Sequence, residues 1–145
     1  MDREKSMKSE LTKEEQFLLR EIAEFRRYPV VCFELHSSRE AALRSTALRN
    51  VHMETGRETM EEVKSTAALL EQLEKKGCIR LEYDLFVTVA ADYACYRSSS
   101  LYAMLLELVK EGRNREGFLF DKAAVNRGIA QVTSKGRTIL KEILA

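Results

Sequence analysis

The period of the apolar residues changes at Gly77, and this change constrains the fold more than any other feature of the chain. Between Val63 and Leu73 the apolar residues recur every three or four positions, which is the spacing of one helix face. Beyond Gly77 the odd-numbered residues over 79–89 are apolar and alternate mostly with polar ones, as in a strand with one buried face. The sequence therefore predicts a helix followed closely by a long strand.

Two predicted helices begin with a threonine that is followed three residues later by a glutamate. In such a capping box each of the two side chains accepts a hydrogen bond from a backbone N–H group that would otherwise lack a partner. The first helix is predicted over 12–27, where Pro29 ends it by disfavouring helical backbone in the residue before it. The second helix is predicted over 59–76, and Gly77 ends it.

The remaining elements follow from shorter patterns of serine caps, apolar stripes and β-branched runs. They are, in chain order, a short buried strand over 30–35, a helix from Ser37 or Ser38 to Gly56, a helix from Ser98 or Ser99 to Gly112, short strands over 118–120 and 128–132 with a turn at 126–128, and a last helix after Thr133.

The composition is that of a single-domain globular protein. The chain has 145 residues, 45% of them hydrophobic and 32% charged, so one domain can bury a core without disulfides or metal. The formal net charge of +1 excludes a strongly basic nucleic-acid coat and a polyacidic tail. No apolar stretch is long enough to span a membrane, and the mixed-charge start lacks the apolar region of a secretory signal. We expect a cytoplasmic protein with a flexible segment over 1–10 and one domain over 11–145.

Residues suited to catalysis or metal binding are isolated from one another. His36 and His52 have no carboxylate or cysteine at a recognised metal-ligand spacing, and the three cysteines form no Cys-x-x-Cys pair. The chain also lacks a Gly-x-Ser-x-Gly nucleophile motif and a glycine-rich phosphate loop. We therefore expect buried reduced thiols, histidines at the surface or with satisfied hydrogen bonds, and no catalytic, metal or cofactor site.

The predicted order of elements is that of a winged helix-turn-helix domain. Residues 65–79 contain Leu-Glu-Lys-Lys-Gly followed by an apolar pair, and they resemble the end of the recognition helix and the first wing strand of MarR- and PadR-like bacterial regulators. Residues 132–137 resemble the step from the last wing strand into a closing helix. The resemblance covers 11–86 and 128–144. It implies an α+β fold, a single winged helix-turn-helix domain with an inserted helix between the wing strands, the insertion lying at 90–127.

This resemblance implies a non-enzymatic DNA-binding transcription regulator that acts as a homodimer, with a small-molecule effector of unknown identity. Phosphates attract arginine and lysine, and base edges are read by basic and small polar side chains. The candidate DNA-binding residues are Arg44, Arg49, Arg57, Lys64, Ser65, Thr66, Lys122 and Arg127.

The charges are unevenly distributed along the chain. Residues 59–76, which include the expected recognition helix, carry four glutamates and three lysines and have a net charge of −1. Residues 38–57 have a net charge of +2, and residues 110–137 have a net charge of +4. We therefore expect flanking elements to supply much of the attraction to phosphate.

The apolar face of the helix at 100–111 is wider than a single packing partner needs. It is interpreted either as a dimer seam or as a helix buried in the core of its own domain. The candidate dimer residues are Leu101, Met104, Leu105 and Leu108.

Two other functions remain open. The acidic face of the helix at 59–76 is also typical of a winged-helix module that binds a protein rather than DNA. A small-ligand sensor is the other alternative, with a pocket formed by aromatic residues near the inserted helix, although these side chains also suit core packing. They are Tyr83, Tyr93, Tyr96 and Tyr102.

Overall fold

The computed structural model describes residues 10–145, so all but the last residue of the predicted flexible segment 1–10 lies outside the described residues. The described part is α+β, as predicted, and it includes a 3₁₀ helix at Ala90–Tyr93. Its helices are α1 (Lys13–Glu24), α2 (Met60–Lys75), α3 (Ser100–Arg113) and α4 (Ser134–Leu144), and its strands are β1 (Tyr28–His36), β2 (Arg44–Val51), β3 (Ile79–Glu82) and β4 (Lys122–Val132).

The four strands form one antiparallel sheet in the order β2–β1–β4–β3. The central pair joins β1 to β4, from Tyr28 opposite Ala130 to His36 opposite Lys122. Strand β2 forms one edge of the sheet, and the short strand β3 forms the other. The strand predicted at 30–35 is thus confirmed, and it lies at the centre of the sheet.

Both faces of β1 are buried, because successive side chains of a strand project to opposite faces. On one face Tyr28 and Val30 pack in a core with Leu19 of α1, Leu70 of α2 and Ile139 of α4. This core joins three of the four helices to the sheet.

The opposite face of the sheet is covered by the segment between β3 and β4. Here Val31 and Phe33 of β1 pack with Tyr96, Tyr102 and Leu105, which belong to this segment and its helix α3. The helix predicted at 98–112 is confirmed as α3, which begins at a serine cap, and its core-facing side fills the second core.

The capping boxes that start α1 and α2 are both present. In α1 the hydroxyl of Thr12 accepts from the backbone N–H of Glu15 at 3.1 Å, and the Glu15 carboxylate accepts from the backbone N–H of Thr12 at 2.8 Å. Beyond the end of α2, Gly77 has φ +78°, a conformation that costs glycine little. These boundaries depend on neighbouring residues, which is why the sequence predicts them well.

The predicted helix from Ser37 or Ser38 to Gly56 is wrong, because strand β2 occupies 44–51. The cap itself forms, since the Ser37 hydroxyl accepts from the backbone N–H groups of Arg39 and Glu40. Only a short turn follows, and the chain then pairs with β1. Hydrogen bonds to a distant strand therefore override a weak helical spacing of apolar residues. No helix of the described residues precedes α2 where a helix-turn-helix motif would have one.

The long strand predicted over 79–89 is also wrong beyond Glu82, where β3 ends. Asp84 has φ +56°, which breaks the extended conformation, and its backbone N–H donates to the Asn126 side chain at 3.1 Å. The chain then leaves the sheet, and Phe86 and Val87 are fully or largely exposed. The alternation of apolar and polar residues therefore continues beyond Glu82, although no strand within the described residues pairs with this segment.

The strand predicted at 128–132 is confirmed as the end of β4, which begins earlier, at Lys122, whereas the strand predicted at 118–120 and the turn predicted at 126–128 are both wrong. Gly128 lies within this strand rather than at a turn. A residue without a Cβ atom is needed there because the neighbouring backbone approaches closely. A Cβ atom at Gly128 would lie 2.5 Å from the carbonyl oxygen of Glu82 and equally close to the Tyr83 ring. The predicted last helix is confirmed as α4.

Candidate functional site

A polar groove between β2 and α2 brings together two of the predicted DNA-binding residues, Arg49 and Lys64. The groove has a volume of about 330 Å³ and includes Glu71, Glu74 and Lys75 on the α2 side. Nζ of Lys75 lies 3.2 Å from a carboxylate oxygen of Glu71, so these two charges compensate each other. The groove therefore offers two cations, Arg49 and Lys64, beside Glu74, which is the single carboxylate of the groove that has no ion pair with another described residue.

A second pair of predicted residues, Arg44 and Lys122, lies in one row across the sheet. His36 on the central strand β1 is opposite Arg44 on β2 and opposite Lys122 on β4. Directly opposite residues on neighbouring strands project to the same face. The row thus places one exposed cation on each side of His36.

Glu34 lies beside this row and is almost completely buried. Nε2 of His36 lies 2.8 Å from one carboxylate oxygen, and the Asn126 amide donates to the other at 3.0 Å. Burial raises the pKa of Glu34, but these hydrogen bonds and the charge of Arg44, 4.0 Å away, together hold that pKa below its usual value. Glu34 is therefore an ionised carboxylate, and each of its two oxygens already has a hydrogen-bond partner.

Asn126 also ties Asp84 to the sheet. Its amide nitrogen donates to the Asp84 carboxylate at 3.0 Å, and Arg44 lies 3.9 Å from the same carboxylate oxygen. The cluster formed by Glu34, His36, Arg44, Asp84 and Asn126 thus fixes the point where the chain leaves the sheet. Within residues 10–145 no group of acidic, histidine or cysteine side chains is placed to hold a metal ion.

Sequence reasoning missed this cluster because it assigned residue 44 to a helix. The available signal was the spacing of Glu34, on the strand predicted over 30–35, and His36 just beyond it, because residues two positions apart along a strand project to one face.

The other predicted DNA-binding residues lie on separate surfaces. Thr66 faces a cavity between α1 and α2, away from Arg49. Arg127 donates to the hydroxyl of Thr88 at 3.0 Å and lies 5.2 Å from the centre of the Tyr93 ring, so it holds the segment after β3. Arg57 is exposed in the loop before α2, and Ser65 is exposed on the surface of α2.

The candidate dimer residues divide into two pairs. Leu101 and Leu105 are buried in the core of their own domain, whereas Met104 and Leu108 are 57% and 53% exposed. All four nevertheless line one apolar groove of about 230 Å³ between α3 and strand β2, together with Lys64 of α2. The groove lies beside the edge of the sheet, where β2 has no further strand partner within the described residues.

Three of the four tyrosines considered for a ligand pocket are buried core residues, and each hydroxyl donates to a backbone carbonyl. Tyr93 donates to Gly128 at 2.6 Å, and Tyr96 donates to Pro29 at 3.1 Å. Tyr102 packs against Phe33 and makes a longer bond to Ala123. The fourth, Tyr83, is half-buried and donates to the Asn50 side chain. These contacts explain the positions of the four tyrosines by core packing and hydrogen bonding rather than by the lining of a ligand pocket.

The cysteines are free thiols, as predicted, with Cys32 and Cys78 buried and Cys95 half-buried. Burial raises the pKa of Cys78 and of Cys95. Both thiols are therefore poor nucleophiles, because the thiolate is the reactive form.

A cavity of about 560 Å³ between α1 and α2 was not predicted. His52, expected at the surface or with satisfied hydrogen bonds, is instead buried at its edge and stacks on Tyr28 with ring centres 3.9 Å apart. The cavity is lined by Lys13, Glu14, Phe17, Leu18, Glu21, Tyr28, His52, Glu54, Glu58, Glu62, Val63, Thr66 and Leu69.

Comparisons with known proteins give one structural likeness. No protein-family model matches the chain, and no curated protein matches it. A solved structure of an uncharacterized protein from the hydrocarbon-degrading marine bacterium Alcanivorax borkumensis SK2 is similar over 94% of this chain and 89% of that chain, with 14% sequence identity and a TM-score of 0.48. None of the helices in residues 10–145 has the length and apolar character needed to cross a bilayer.

Proposed function

We propose that this chain is a dimeric, non-enzymatic DNA-binding regulator of a winged-helix type in which β2 replaces the first helix of the helix-turn-helix motif. The observation that carries the proposal is the position of Lys64. It lines the polar groove with Arg49 on one side and the apolar groove with the candidate dimer residues on the other. Candidate DNA contacts and candidate dimer contacts therefore adjoin along strand β2.

The proposed phosphate contacts come from β2, from β4 and from Lys64 on the side of α2 that adjoins β2, rather than from the rest of the exposed face of α2. Arg44, Arg49, Lys64 and Lys122 are exposed cations of this region. In contrast, the exposed face of α2 carries an excess of carboxylates, and phosphate would be repelled by them. These carboxylates belong to Glu61, Glu62, Glu71 and Glu74.

The proposed dimer uses the free edge of β2. Two copies of an edge strand can pair antiparallel about a two-fold axis, and the same patch then contacts itself. Met104 and Leu108, which are exposed beside this edge, would be buried in such a pair. The two Arg49–Lys64 grooves would then lie on either side of the two-fold axis, as paired DNA half-sites require.

A mobility-shift titration with a pool of random-sequence DNA duplexes, at low and at physiological salt, tests DNA binding. Arg49→Ala combined with Lys64→Ala should weaken binding and reduce the slope of log K against log salt by about 2, since each phosphate contact contributes about 0.9. The control is Arg20→Ala, which removes an exposed arginine from α1. No shift at low salt, or a binding constant independent of salt, would contradict the proposal.

A module that binds a basic protein partner is the second candidate, and the acidic excess on α2 favours it. Glu61→Lys combined with Glu71→Lys separates the two candidates. DNA binding should become tighter in this variant if phosphate approaches α2, whereas binding of a basic peptide library should be lost if the acidic face is the docking surface. Glu107→Lys, on the exposed surface of α3, is the control.

A further inference from the structure

The cavity between α1 and α2 is strongly acidic. Its lining includes five glutamates and one lysine, and the other residues are His52, Tyr28, Thr66 and four apolar side chains. Carboxylates that share a small volume repel one another, and this repulsion is relieved by a cation or by protonation. The charge of the lining alone does not define a site, so the hydrogen bonding of each polar group is decisive.

Two buried polar atoms at this cavity have no hydrogen-bond partner within residues 10–145: the hydroxyl of Tyr28 and Nε2 of His52. Tyr28 is 1% exposed and His52 is 8% exposed, so bulk water does not satisfy these atoms. Buried polar groups are almost always hydrogen-bonded, and leaving one without a partner is unfavourable. Both residues line the cavity, and the negative charges of Glu21 and Glu54 contribute to the raised pKa of Tyr28, after burial as the main cause.

The tautomer of neutral His52 follows from its other ring nitrogen. Nδ1 lies 2.7 Å from the carbonyl oxygen of Pro29, and because a carbonyl only accepts, Nδ1 carries the proton. Nε2 then presents a lone pair, and it lies 3.5 Å from a carboxylate oxygen of Glu54. In this neutral form of His52, two acceptors face each other with no donor between them.

The five glutamates differ in how far the protein itself satisfies them. Glu58 accepts from the backbone N–H of Glu54 and from the hydroxyl of Thr55, and although burial raises its pKa, these bonds lower it to about 2. Glu62 completes the capping box of α2. Glu14 lies in the first turn of α1, where the helix dipole favours a negative charge.

Glu21 and Glu54 lack such compensation. Within the described part of the chain, the carboxylate of Glu54 has only the neighbouring His52 as a partner, although its side chain is 61% exposed to solvent, and Glu21 has no hydrogen bond or ion pair. These two carboxylates lie on the side of the cavity where the unpartnered atoms of Tyr28 and His52 are buried.

We propose that this cavity binds a small organic amine in its protonated form. The ammonium group would donate to Nε2 of His52 and to the carboxylates of Glu54 and Glu21, so that one group with several N–H donors satisfies all three acceptors. The Tyr28 hydroxyl, which both donates and accepts, completes the polar end. A quaternary ammonium has no N–H to donate and fits this acceptor set less well.

The hydrocarbon part of the ligand would contact Phe17. This ring lines the cavity and is 64% exposed, although the other large apolar side chains of its helix, those of Leu18, Leu19 and Ile22, are buried. Leu18, Val63 and Leu69 extend the apolar wall. The cavity volume is within the range of sites for small organic molecules. The ligand class is therefore an amine on a short alkyl or aromatic body.

Binding is tested by NMR titration of the full-length protein with hexylamine and benzylamine, following the ring signals of His52 and Tyr28. The neutral and anionic probes hexanol and hexanoate are titrated in parallel. We expect saturable shifts with the amines, with dissociation constants of about 0.1–1 mM for ligands of this size. Equal binding of hexanol, or no saturable binding of either amine, would overturn the proposal, as would saturation by Mg²⁺ or Ca²⁺ without amine binding.

Variants locate the site and distinguish its polar end from its apolar wall. Glu21→Gln and Glu54→Gln should each weaken hexylamine binding about tenfold, because each removes a charge-assisted hydrogen bond. Glu71→Gln, on the opposite side of α2, is the matched control and should bind hexylamine like the parent chain. Phe17→Ala should weaken hexylamine binding much more than methylamine binding. Unchanged affinity in both glutamine variants would show that the amine binds elsewhere and would overturn the assignment.

Discussion

Nζ of Lys76 lies 2.7 Å from a carboxylate oxygen of Glu15, and this contact joins the end of α2 to the first turn of α1. The same ammonium group donates to the carbonyl oxygen of Glu10 at 2.9 Å. Because Glu15 is buried and also belongs to the capping box of α1, one carboxylate links a helix start to a neighbouring helix end. The packing of α1 against α2 therefore depends on an ionised glutamate.

Lys76→Met should destabilise the fold by about 1–3 kcal/mol, since it leaves the buried Glu15 carboxylate without its charged donor. Burial raises the pKa of Glu15, but the bonds from Lys76 and Thr12 lower it overall. The stabilisation is therefore present above the unfolded-state pKa and is lost as the pH falls through the lower folded-state pKa. Urea unfolding at neutral and at acidic pH measures this, and the variant should show the weaker pH dependence. An equal loss of stability with acid in both chains would contradict it.

Gly128→Ala should destabilise the chain by about 2–4 kcal/mol, because the added methyl group has no space beside Glu82 and Tyr83. Gly117→Ala is the control, because nothing lies near its added methyl group and only its positive φ of +81° is unfavourable. The control should lose about 1 kcal/mol. Thermal unfolding of both variants gives the comparison, and similar losses in the two would show that the close approach at Gly128 is relieved by small movements.

Tyr96→Phe should cost about 1–2 kcal/mol, because the hydroxyl accepts from the backbone N–H of Met53 and donates to the carbonyl oxygen of Pro29. Tyr28→Phe should be neutral or stabilising in the absence of ligand, because its buried hydroxyl has no partner within the described residues. Chemical unfolding without added amine measures both. A larger loss for Tyr28→Phe than for Tyr96→Phe would mean that the Tyr28 hydroxyl is already satisfied in solution.

Met104→Glu and Leu108→Glu should each shift the protein from dimer towards monomer, because a carboxylate would be buried in the proposed interface. Leu106→Glu is the matched control, since this leucine is exposed on α3 but does not line the groove. Sedimentation velocity over a range of protein concentrations measures the equilibrium. A parent chain that is monomeric at every concentration would contradict the dimer.

The sequence predicts those elements whose signals are local. Capping threonines define the starts of α1 and α2, and a serine cap defines the start of α3, through hydrogen bonds to residues a few positions away, while Gly77 follows the end of α2. Strand β2 was mistaken for a helix because its identity depends on pairing with β1, and the residues at 43, 47 and 51 have a spacing compatible with a helix. Non-local pairing does not appear in a window of neighbouring residues.

The candidate sites were predicted less completely than the fold. Arg49 and Lys64 were both identified by residue type, but that they share a groove follows only from the position of β2 against α2. The acidic cavity was missed because His52 and Tyr28 come from different segments and their unpartnered atoms become apparent only once burial is known.

The strand order β2–β1–β4–β3 also determines when the sheet can form during synthesis. Strand β4 is the only strand of this sheet that pairs with both β1 and β3, and these two have no ladder with each other. β4 is the last of the four strands in chain order, so a ribosome-bound chain holds β1 and β3 without their common neighbour until residues 122–132 have been synthesised. Such non-local pairing slows folding. The apolar side chains of β1 therefore lack this neighbour until β4 has been made, and a chaperone that binds apolar segments would meet them in that interval.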